Sequence, residues 1–125
     1  MAVSAPQATF TAVTALDVDS RGRVYVGDWY RQQVTVLGPD GSLVRTLGKR
    51  GDGPGEFRAI RGVQILSGDS LLVYDPTSAR VTVYAADAAR PAYTTNLRTG
   101  LAGPAPFYLW RTAANDGYVA LFRPA

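Results

Sequence analysis

Residues 10–37 have the sequence FTAVTALDVDSRGRVYVGDWYRQQVTVL, and residues 57–84 have the sequence FRAIRGVQILSGDSLLVYDPTSARVTVY. The two stretches align without a gap at a constant offset of 47 residues, and 8 of the 28 aligned pairs are identical. Average residue usage would give about two identities by chance. The two stretches are therefore two copies of one structural unit, and the repeat decides the architecture.

A third copy of the repeat begins after the second but does not finish. The segment GPGEF at 53–57 returns as GPAPF at 103–107, at an offset of 50, and the chain stops at Ala125. We therefore expect one partial domain with a short lead-in, two complete units and half of a third. The boundaries we predict for these parts are 1–9, 10–56, 57–106 and 107–125.

Apolar residues alternate with a period near two within each unit, which is typical of β-strands, and no stretch has the spacing of an amphipathic helix. Gly-, Asp- and Pro-rich turns separate the apolar runs. The pattern predicts strands near 13–19, 23–28, 33–38, 42–48, 60–66, 70–75, 80–85, 91–97, 107–113 and 117–122. Four short antiparallel strands in about 40–50 residues are typical of a β-propeller blade. The predicted fold is all-β, with four-stranded antiparallel blades in an incomplete ring.

Two motifs resemble the NHL-repeat family of six-bladed β-propellers. They are LDVDSRGRVYVGD at 16–28 and the Gly-rich connection LGKRGDGPGEF at 47–57, while SGDSLLVYD at 67–75 departs from the family pattern. The resemblance covers roughly residues 10–122 and implies a bacterial protein outside the cytoplasm. It implies no single activity, because such propellers host binding, sensing and enzymatic roles alike.

The composition excludes several kinds of chemistry within this chain. It has no His and no Cys, so disulfides, thiolate catalysis and Ser-His-Asp triads cannot be built from it. The lyases that resemble the NHL group use a metal bound by His, and those ligands are missing. We expect no cofactor and no metal, and we expect neither a membrane segment nor a signal peptide within this chain. The net charge of +3 permits acidic partners or nucleic acid without requiring them.

Seven residues are predicted to have structural roles. The aromatic residue that opens each unit should anchor the packing between blades, and the Asp that ends the second strand of each unit should accept N–H groups of the following turn. A Gly-Pro pair should shape the blade-to-blade turn, for which a phosphate-cradling role is the alternative. These residues are Phe10, Phe57, Phe107, Asp28, Asp75, Gly53 and Pro54.

Eight residues form the predicted binding surface. Cations suit phosphate or carboxylate groups and aromatic side chains suit stacking, so an anionic partner or nucleic acid is one interpretation. A solvated, ion-paired surface is the other, because Asp52 and Glu56 lie among the same charges. The candidates are Trp29, Tyr30, Arg31, Arg45, Lys49, Arg50, Arg58 and Arg61.

The leading hypothesis is a non-catalytic scaffold or binding module that recognises a protein or small ligand through its loops. One alternative is part of an enzyme or sensor whose active face is completed by blades outside this chain. Another is a partial propeller that associates with copies of itself, because two and a half blades leave an apolar face open at each end.

Overall fold

The computed structural model describes residues 4–5, 8–9, 12–96, 106, 108–112 and 118–121. Nearly all regular structure in these residues is β-strand, with a single 3₁₀ turn at Ser67–Asp69. No helix in the described ranges is long and apolar enough to cross a membrane.

Fourteen strands are present in the described residues, and most lie within two residues of the bounds that the alternation predicts. Four of them are two-residue strands that the sequence analysis did not anticipate. In chain order the strands are β1 (Ser4–Ala5), β2 (Ala8–Thr9), β3 (Val13–Val18), β4 (Val24–Asp28), β5 (Gln33–Leu37), β6 (Leu43–Leu47), β7 (Lys49–Arg50), β8 (Glu56–Phe57), β9 (Gly62–Ile65), β10 (Leu71–Asp75), β11 (Arg80–Tyr84), β12 (Tyr93–Asn96), β13 (Tyr108–Arg111) and β14 (Tyr118–Leu121).

Two four-stranded antiparallel sheets are built from the two copies of the repeat. The first sheet has the order β3-β4-β5-β6, and the second has the order β9-β10-β11-β12. The register repeats as well: Val26 lies opposite Thr35 in the first sheet, and Val73 lies opposite Thr82 in the second. The predicted all-β class with four-stranded antiparallel sheets is confirmed, and β13 and β14 form a further antiparallel pair.

The two sheets pack face to face, as propeller blades do. The largest core cluster contains Phe57, which is completely buried, together with apolar residues from both sheets. A second cluster joins the far face of the second sheet to Leu109 on β13. We call the contact between the two sheets the first junction and the contact between the second sheet and β13 the second junction. The first strands of the three successive sheets, β3, β9 and β13, are neighbours across these junctions, and we call them the innermost strands.

The connection between the first and second sheets contains a short parallel pair, β7 with β8. Gly48 precedes it with φ +85°, and a Cβ atom there would lie 2.3 Å from the ring of Phe57. Only glycine fits this position, because any side chain would collide with the buried ring and strain the backbone. The Gly-rich connection was predicted as a turn, and its parallel pairing was not foreseen.

The turns of the sheets lie at two opposite ends, because successive strands alternate in direction. The first loop face carries the turns 29–32 and 76–79 and the connection 48–61 between the sheets. The second loop face carries the turns 19–23 and 66–70. Any site built from loops must therefore use one face or the other.

Candidate functional site

Five of the eight predicted binding residues lie together on the first loop face. The guanidinium carbon of Arg61 lies 4.4 Å from the ring centroid of Trp29, and Arg50 Nη2 donates to the carbonyl oxygen of Tyr30 at 2.9 Å. The Tyr30 side chain is 72% exposed, and Arg31 beside it is exposed. We call Trp29, Tyr30, Arg31, Arg50 and Arg61 the aromatic–arginine patch.

The turn that carries the patch is shaped by the Asp that precedes it. Asp28 Oδ1 accepts the backbone N–H groups of Tyr30 at 3.0 Å and Arg31 at 3.3 Å. In the second sheet Asp75 accepts the backbone N–H and the hydroxyl of Ser78, at 3.1 and 2.9 Å. Both carboxylates are engaged in turn contacts of the kind that short Asp side chains commonly make.

A buried glutamine ties the same turn to the second sheet. Gln32 has φ +51° and is 1% exposed, and its Nε2 donates to the carbonyl of Trp29 at 2.6 Å. Its Oε1 accepts the backbone N–H of Ile60 at 2.9 Å, while the Thr14 hydroxyl donates to the Ile60 carbonyl at 2.9 Å. Because both backbone groups of Ile60 are held by the first sheet, the turn and the following strand form one rigid support for the patch.

The Gly-Pro segment beside the patch is held by an arginine from the second sheet. Arg80 donates to the carbonyl oxygens of Asp52, Gly53 and Glu56 at 3.0, 3.1 and 2.9 Å. The N–H of Gly53 is bonded to the Glu56 carboxylate at 3.2 Å, and Pro54 is exposed. The carbonyls of this loop therefore face a cation, and the N–H of Gly53 is already engaged, so the geometry does not suit a phosphate cradle.

The remaining predicted cations form ion pairs outside the patch. Arg58 binds the Asp52 carboxylate through two nitrogens, and the Lys49 ammonium lies 3.7 Å from a Glu56 oxygen. The hydrogen bonds from Arg58 lower the pKa of Asp52 below its ordinary value. These two cations are at least partly neutralised, because each has a carboxylate partner within reach.

Arg45 lies in a different cluster, toward the second loop face. Its guanidinium donates to the carbonyl of Asp87, and the Asp87 carboxylate accepts from Arg21 at 2.8 Å and Arg23 at 2.6 Å. Arg45 is thus separated from the patch with which the sequence analysis grouped it. We call this group the Asp19 cluster, after the buried carboxylate at its centre. Its members are Asp19, Arg21, Arg23, Tyr25, Arg45 and Asp87.

Asp19 is the buried centre of that cluster. It accepts the backbone N–H groups of Arg21 and Arg23, Nε of Arg23 at 2.8 Å and the Tyr25 hydroxyl at 2.9 Å. Burial opposes ionisation of the Asp19 carboxyl, but the hydrogen bonds outweigh it and lower its pKa to about 2. Burial together with the hydrogen bond to Asp19 raises the pKa of Tyr25 to about 12. The cluster joins a turn of the first sheet to Asp87 of the second.

Sequence reasoning missed a polar position that links each innermost strand to the next. Asp17 Oδ2 accepts the N–H of Ile65 at 2.7 Å, and the aligned Gln64 accepts the N–H of Arg111 at 2.7 Å while donating to its carbonyl at 2.6 Å. The signal was present, because Asp17 and Gln64 are aligned polar residues within apolar strands. By contrast, Asp19 aligns with Leu66, so the repeat gives no signal for its cluster.

The predicted aromatic anchors are described only in part. Phe57 is 0% exposed in the first junction, whereas Phe10 and Phe107 lie outside the described residues.

In the described ranges no group of three or more His, Cys, Asp or Glu side chains could hold a metal ion. The chemistry that the patch offers is therefore that of guanidinium groups and aromatic rings, which bind anions and flat π systems.

Comparison with known proteins shows similarity to two bacterial crystal structures. A protein of unknown function from Bacteroides caccae is 14% identical, with a TM-score of 0.60, over 78% of this chain and 34% of the other. A candidate exported protein from Bacteroides fragilis is 15% identical, with a TM-score of 0.67, over 87% of this chain and 29% of the other. The chain thus spans about a third of the length of these structures. No curated protein matches it.

The family comparison agrees with the architecture. The model for a family described as a 6-bladed β-propeller matches residues 11–108, which include both four-stranded sheets. The chain belongs to this 6-bladed β-propeller family.

Proposed function

We propose that this chain is a non-catalytic binding module and that the aromatic–arginine patch binds an acidic segment of a partner protein. The observation that carries the proposal is the convergence of three arginines and two aromatic rings from two separate loops. Guanidinium groups bind carboxylates through paired hydrogen bonds, and exposed aromatic side chains supply contact area at low entropic cost.

The support beneath the patch favours binding over a merely solvated surface. Gln32 is buried and bonded both to its own turn and to Ile60 in the connection to the second sheet, so the turn 29–32 is held in place before any partner arrives. A preorganised surface binds more tightly, because less conformational freedom is lost on association. Arg31 is exposed and forms no ion pair in the described part of the chain, so its charge is available to a partner.

The proposal is tested with a ten-residue polyglutamate peptide as the probe. We expect binding that weakens as salt is raised and that falls at least about tenfold in the double variant Arg31→Gln, Arg50→Gln. Tyr30→Ala should weaken binding with little change in stability, since the ring is 72% exposed. Arg90→Gln, an exposed arginine outside the patch, is the matched control and should bind like the parent protein.

Two results would overturn the proposal. One is equal binding by the parent protein and the double variant, or no binding even at low salt. The other is a clear preference for single-stranded DNA over the peptide, which would assign the same charges and rings to nucleic acid instead.

The NHL type of the blades and their boundaries at 10–56, 57–106 and 107–125 are also part of the proposal. The NHL motifs at 16–28 and 47–57 support it, as do strand positions that repeat with an offset of 47 between β4 and β10 and between β5 and β11. A localisation outside the cytoplasm of a bacterium rests on the same resemblance.

Assembly with further blades is the second candidate function, and one observation favours it. Leu16 and Val18 of the first sheet are 44% and 49% exposed, whereas Val63, which aligns with Leu16, is 1% exposed in the first junction. The outer face of the first sheet thus has the apolar character of a face that packs against a blade. Light scattering coupled to size exclusion tests self-association: a discrete multiple of 13.4 kDa supports it, and a monomer refutes it.

A further inference from the structure

The outer face of the first sheet repeats the face with which the second sheet packs into the first junction. Four apolar residues of the second sheet belong to the core cluster of that junction, and each has an apolar partner at the offset of 47. These partners form a separate apolar cluster on the outer face. The aligned pairs are Ile60 with Val13, Leu71 with Val24, Val73 with Val26 and Tyr84 with Leu37.

The most exposed apolar residues of this outer face are on its innermost strand. Leu16 and Val18 on β3 are 44% and 49% exposed, whereas the cluster beside them is buried or half-buried. The aligned residues of β9 are Val63 and Ile65, and both pack in the first junction. Since innermost strands are neighbours at both junctions, the strand that covers Leu16 and Val18 should be another innermost strand.

The innermost strand at the opposite end of the described chain exposes a large aromatic side chain. Leu109 on β13 packs in the second junction and is 5% exposed, so the next residue, Trp110, points to the other face of the strand. Trp110 is 49% exposed. The two outward faces of the stack thus carry apolar side chains on β3 at one end and on β13 at the other.

Trp110 lies at the position that links one innermost strand to the next. At each junction the linking side chain accepts a backbone N–H of the neighbouring strand: Asp17 accepts that of Ile65, and Gln64 accepts that of Arg111. Gln64 directly precedes Ile65, so the corresponding position on β13 directly precedes Arg111 and is Trp110. An indole ring has an N–H donor and no acceptor, so it cannot form this link.

Strand β3 does not need such an acceptor. Val18 aligns with Ile65 and is therefore the position at which β3 would receive the link. Its N–H already donates to Asp17 Oδ1 at 2.8 Å, within the same strand. An incoming strand with tryptophan at the linking position leaves this N–H paired and adds apolar contact, so β13 suits β3 as a neighbour.

The size of the ring sets the number of copies. The family has six blades, and the described part of this chain supplies three innermost strands, so two copies supply six. Each blade of such a ring is turned by about 60° from the next, and three blades turn through about 180°. A head-to-tail contact therefore closes after two copies.

We propose that two copies of this chain close a ring head to tail, with Trp110 of one copy packed against Leu16 and Val18 of the other. This inference rests on the second candidate function, self-association, and adds its faces and its stoichiometry. Each copy uses both of its outward faces, so the assembly closes at two copies. Trp side chains are enriched among the contacts that dominate interfaces, so Trp110 should carry much of the affinity.

Light scattering coupled to size exclusion at a series of concentrations tests the stoichiometry and the faces. The parent protein should have about twice the mass of 13.4 kDa. Val18→Asp and Trp110→Asp should each raise the dissociation constant of the dimer at least about tenfold. The matched control is Tyr93→Asp, which changes a 49% exposed residue on the outermost strand β12 and should dimerise like the parent. Each variant must retain the β-sheet circular dichroism of the parent.

Disulfide crosslinking tests the pairing of the two faces without adding charge. The chain has no Cys, so Val18→Cys and Trp110→Cys each carry a single thiol. After oxidation a mixture of the two should give a disulfide-linked dimer and each alone should give little, because in a head-to-tail ring these residues meet each other and not themselves. Tyr93→Cys mixed with either variant measures crosslinking by chance collision.

The outcomes separate this inference from self-association in general. A trimer, or a dimer that both Asp variants leave intact, overturns the head-to-tail ring and leaves self-association standing. Crosslinking of the mixture that does not exceed the Tyr93→Cys control, or that each variant alone equals, also overturns the ring. A monomer at concentrations up to about 1 mM overturns both.

Discussion

The two junctions of this chain use the same repeat positions but are fastened differently. At the first junction, Thr14 and Gln32 hold Ile60, Asp17 holds Ile65, and Ser20 bonds to Asp69. At the second junction Gln64 bonds to the backbone of Arg111 and the Tyr74 hydroxyl donates to the Pro106 carbonyl, beside an apolar cluster. The apolar stacking is therefore repeated at both junctions, while the polar links differ in residue type, as Asp17 and its aligned Gln64 show.

The largest effect is expected at the apolar centre of the first junction. Phe57→Ala should lower the free energy of unfolding by about 3–5 kcal/mol, because a fully buried aromatic ring is lost and a cavity remains. Urea unfolding followed by circular dichroism measures the change. A loss below about 1 kcal/mol would show that the polar links, and not the ring, hold the two sheets together.

The next largest effect concerns the buried carboxylate of the Asp19 cluster. Asp19→Ala should cost about 2–3 kcal/mol at neutral pH, since it removes one of the two carboxylate partners of a mostly buried Arg23 and the acceptor of the Tyr25 hydroxyl. Urea unfolding of both proteins at a series of pH values measures the difference.

The same pair of proteins gives a pH test. The folded-state pKa of Asp19 is about 2, below its ordinary value of 3.8, so its stabilisation is present above pH 4 and is lost as the pH falls from about 4 to about 2. The stability difference between the parent protein and Asp19→Ala should narrow over that range. A difference that stays constant from pH 7 to about pH 2 would contradict the assignment.

A smaller loss of stability is expected from the side chains that link neighbouring innermost strands, and it should differ between the two links. Gln64→Leu should cost about 1–3 kcal/mol, because it leaves both the N–H and the carbonyl of Arg111 without their partner. Asp17→Leu removes the acceptor of the Ile65 N–H and an exposed contact with the N–H of the adjacent Val18, and it should cost less because no carbonyl loses a donor. Amide hydrogen exchange at Arg111 and Ile65 measures each loss directly, and equal losses would mean that the two junctions do not differ in this way.

The smallest effect is expected at the exposed bridge of the first junction. Asp69 has φ +62°, a conformation that Asn tolerates, so Asp69→Asn changes the charge without straining the turn. Since its bonds to Ser20 are exposed, the cost should be about 0.5 kcal/mol or less. Urea unfolding tests this value, and a cost as large as that of Gln64→Leu would show that the turn contact is as important as the inner strand.

Most strands could be predicted because their cause is local. Val24 and Val26 occupy alternate positions of one strand and Val34 and Val36 of the next, and this alternation specifies which residues of a strand share a face of the sheet. The parallel pair β7–β8 could not be predicted in this way, because it exists only where the chain wraps around the buried ring of Phe57.

The residues of the candidate site were predicted individually, but the sequence did not predict which of them lie together. Trp29, Tyr30 and Arg31 are adjacent in sequence, but their contacts with Arg50 and Arg61 depend on how one sheet is placed on the next. Arg45 was grouped with Arg50 because the two are close in sequence, yet Arg45 lies within β6 and donates to the carbonyl of Asp87, whereas Arg50 follows β6 and reaches Tyr30. Closeness in sequence therefore misleads where one residue lies within a strand and the other in the connection after it.

The repeat, the strands and the stacking of like units follow from the order of the residues, because hydrophobic alternation and turn residues act over a few positions. Which cations are paired and which loops share a face follow from the packed fold and not from the order of the residues. Those features depend on distances between residues as far apart as Arg23 and Asp87, and such distances are set by the packing of one sheet on another.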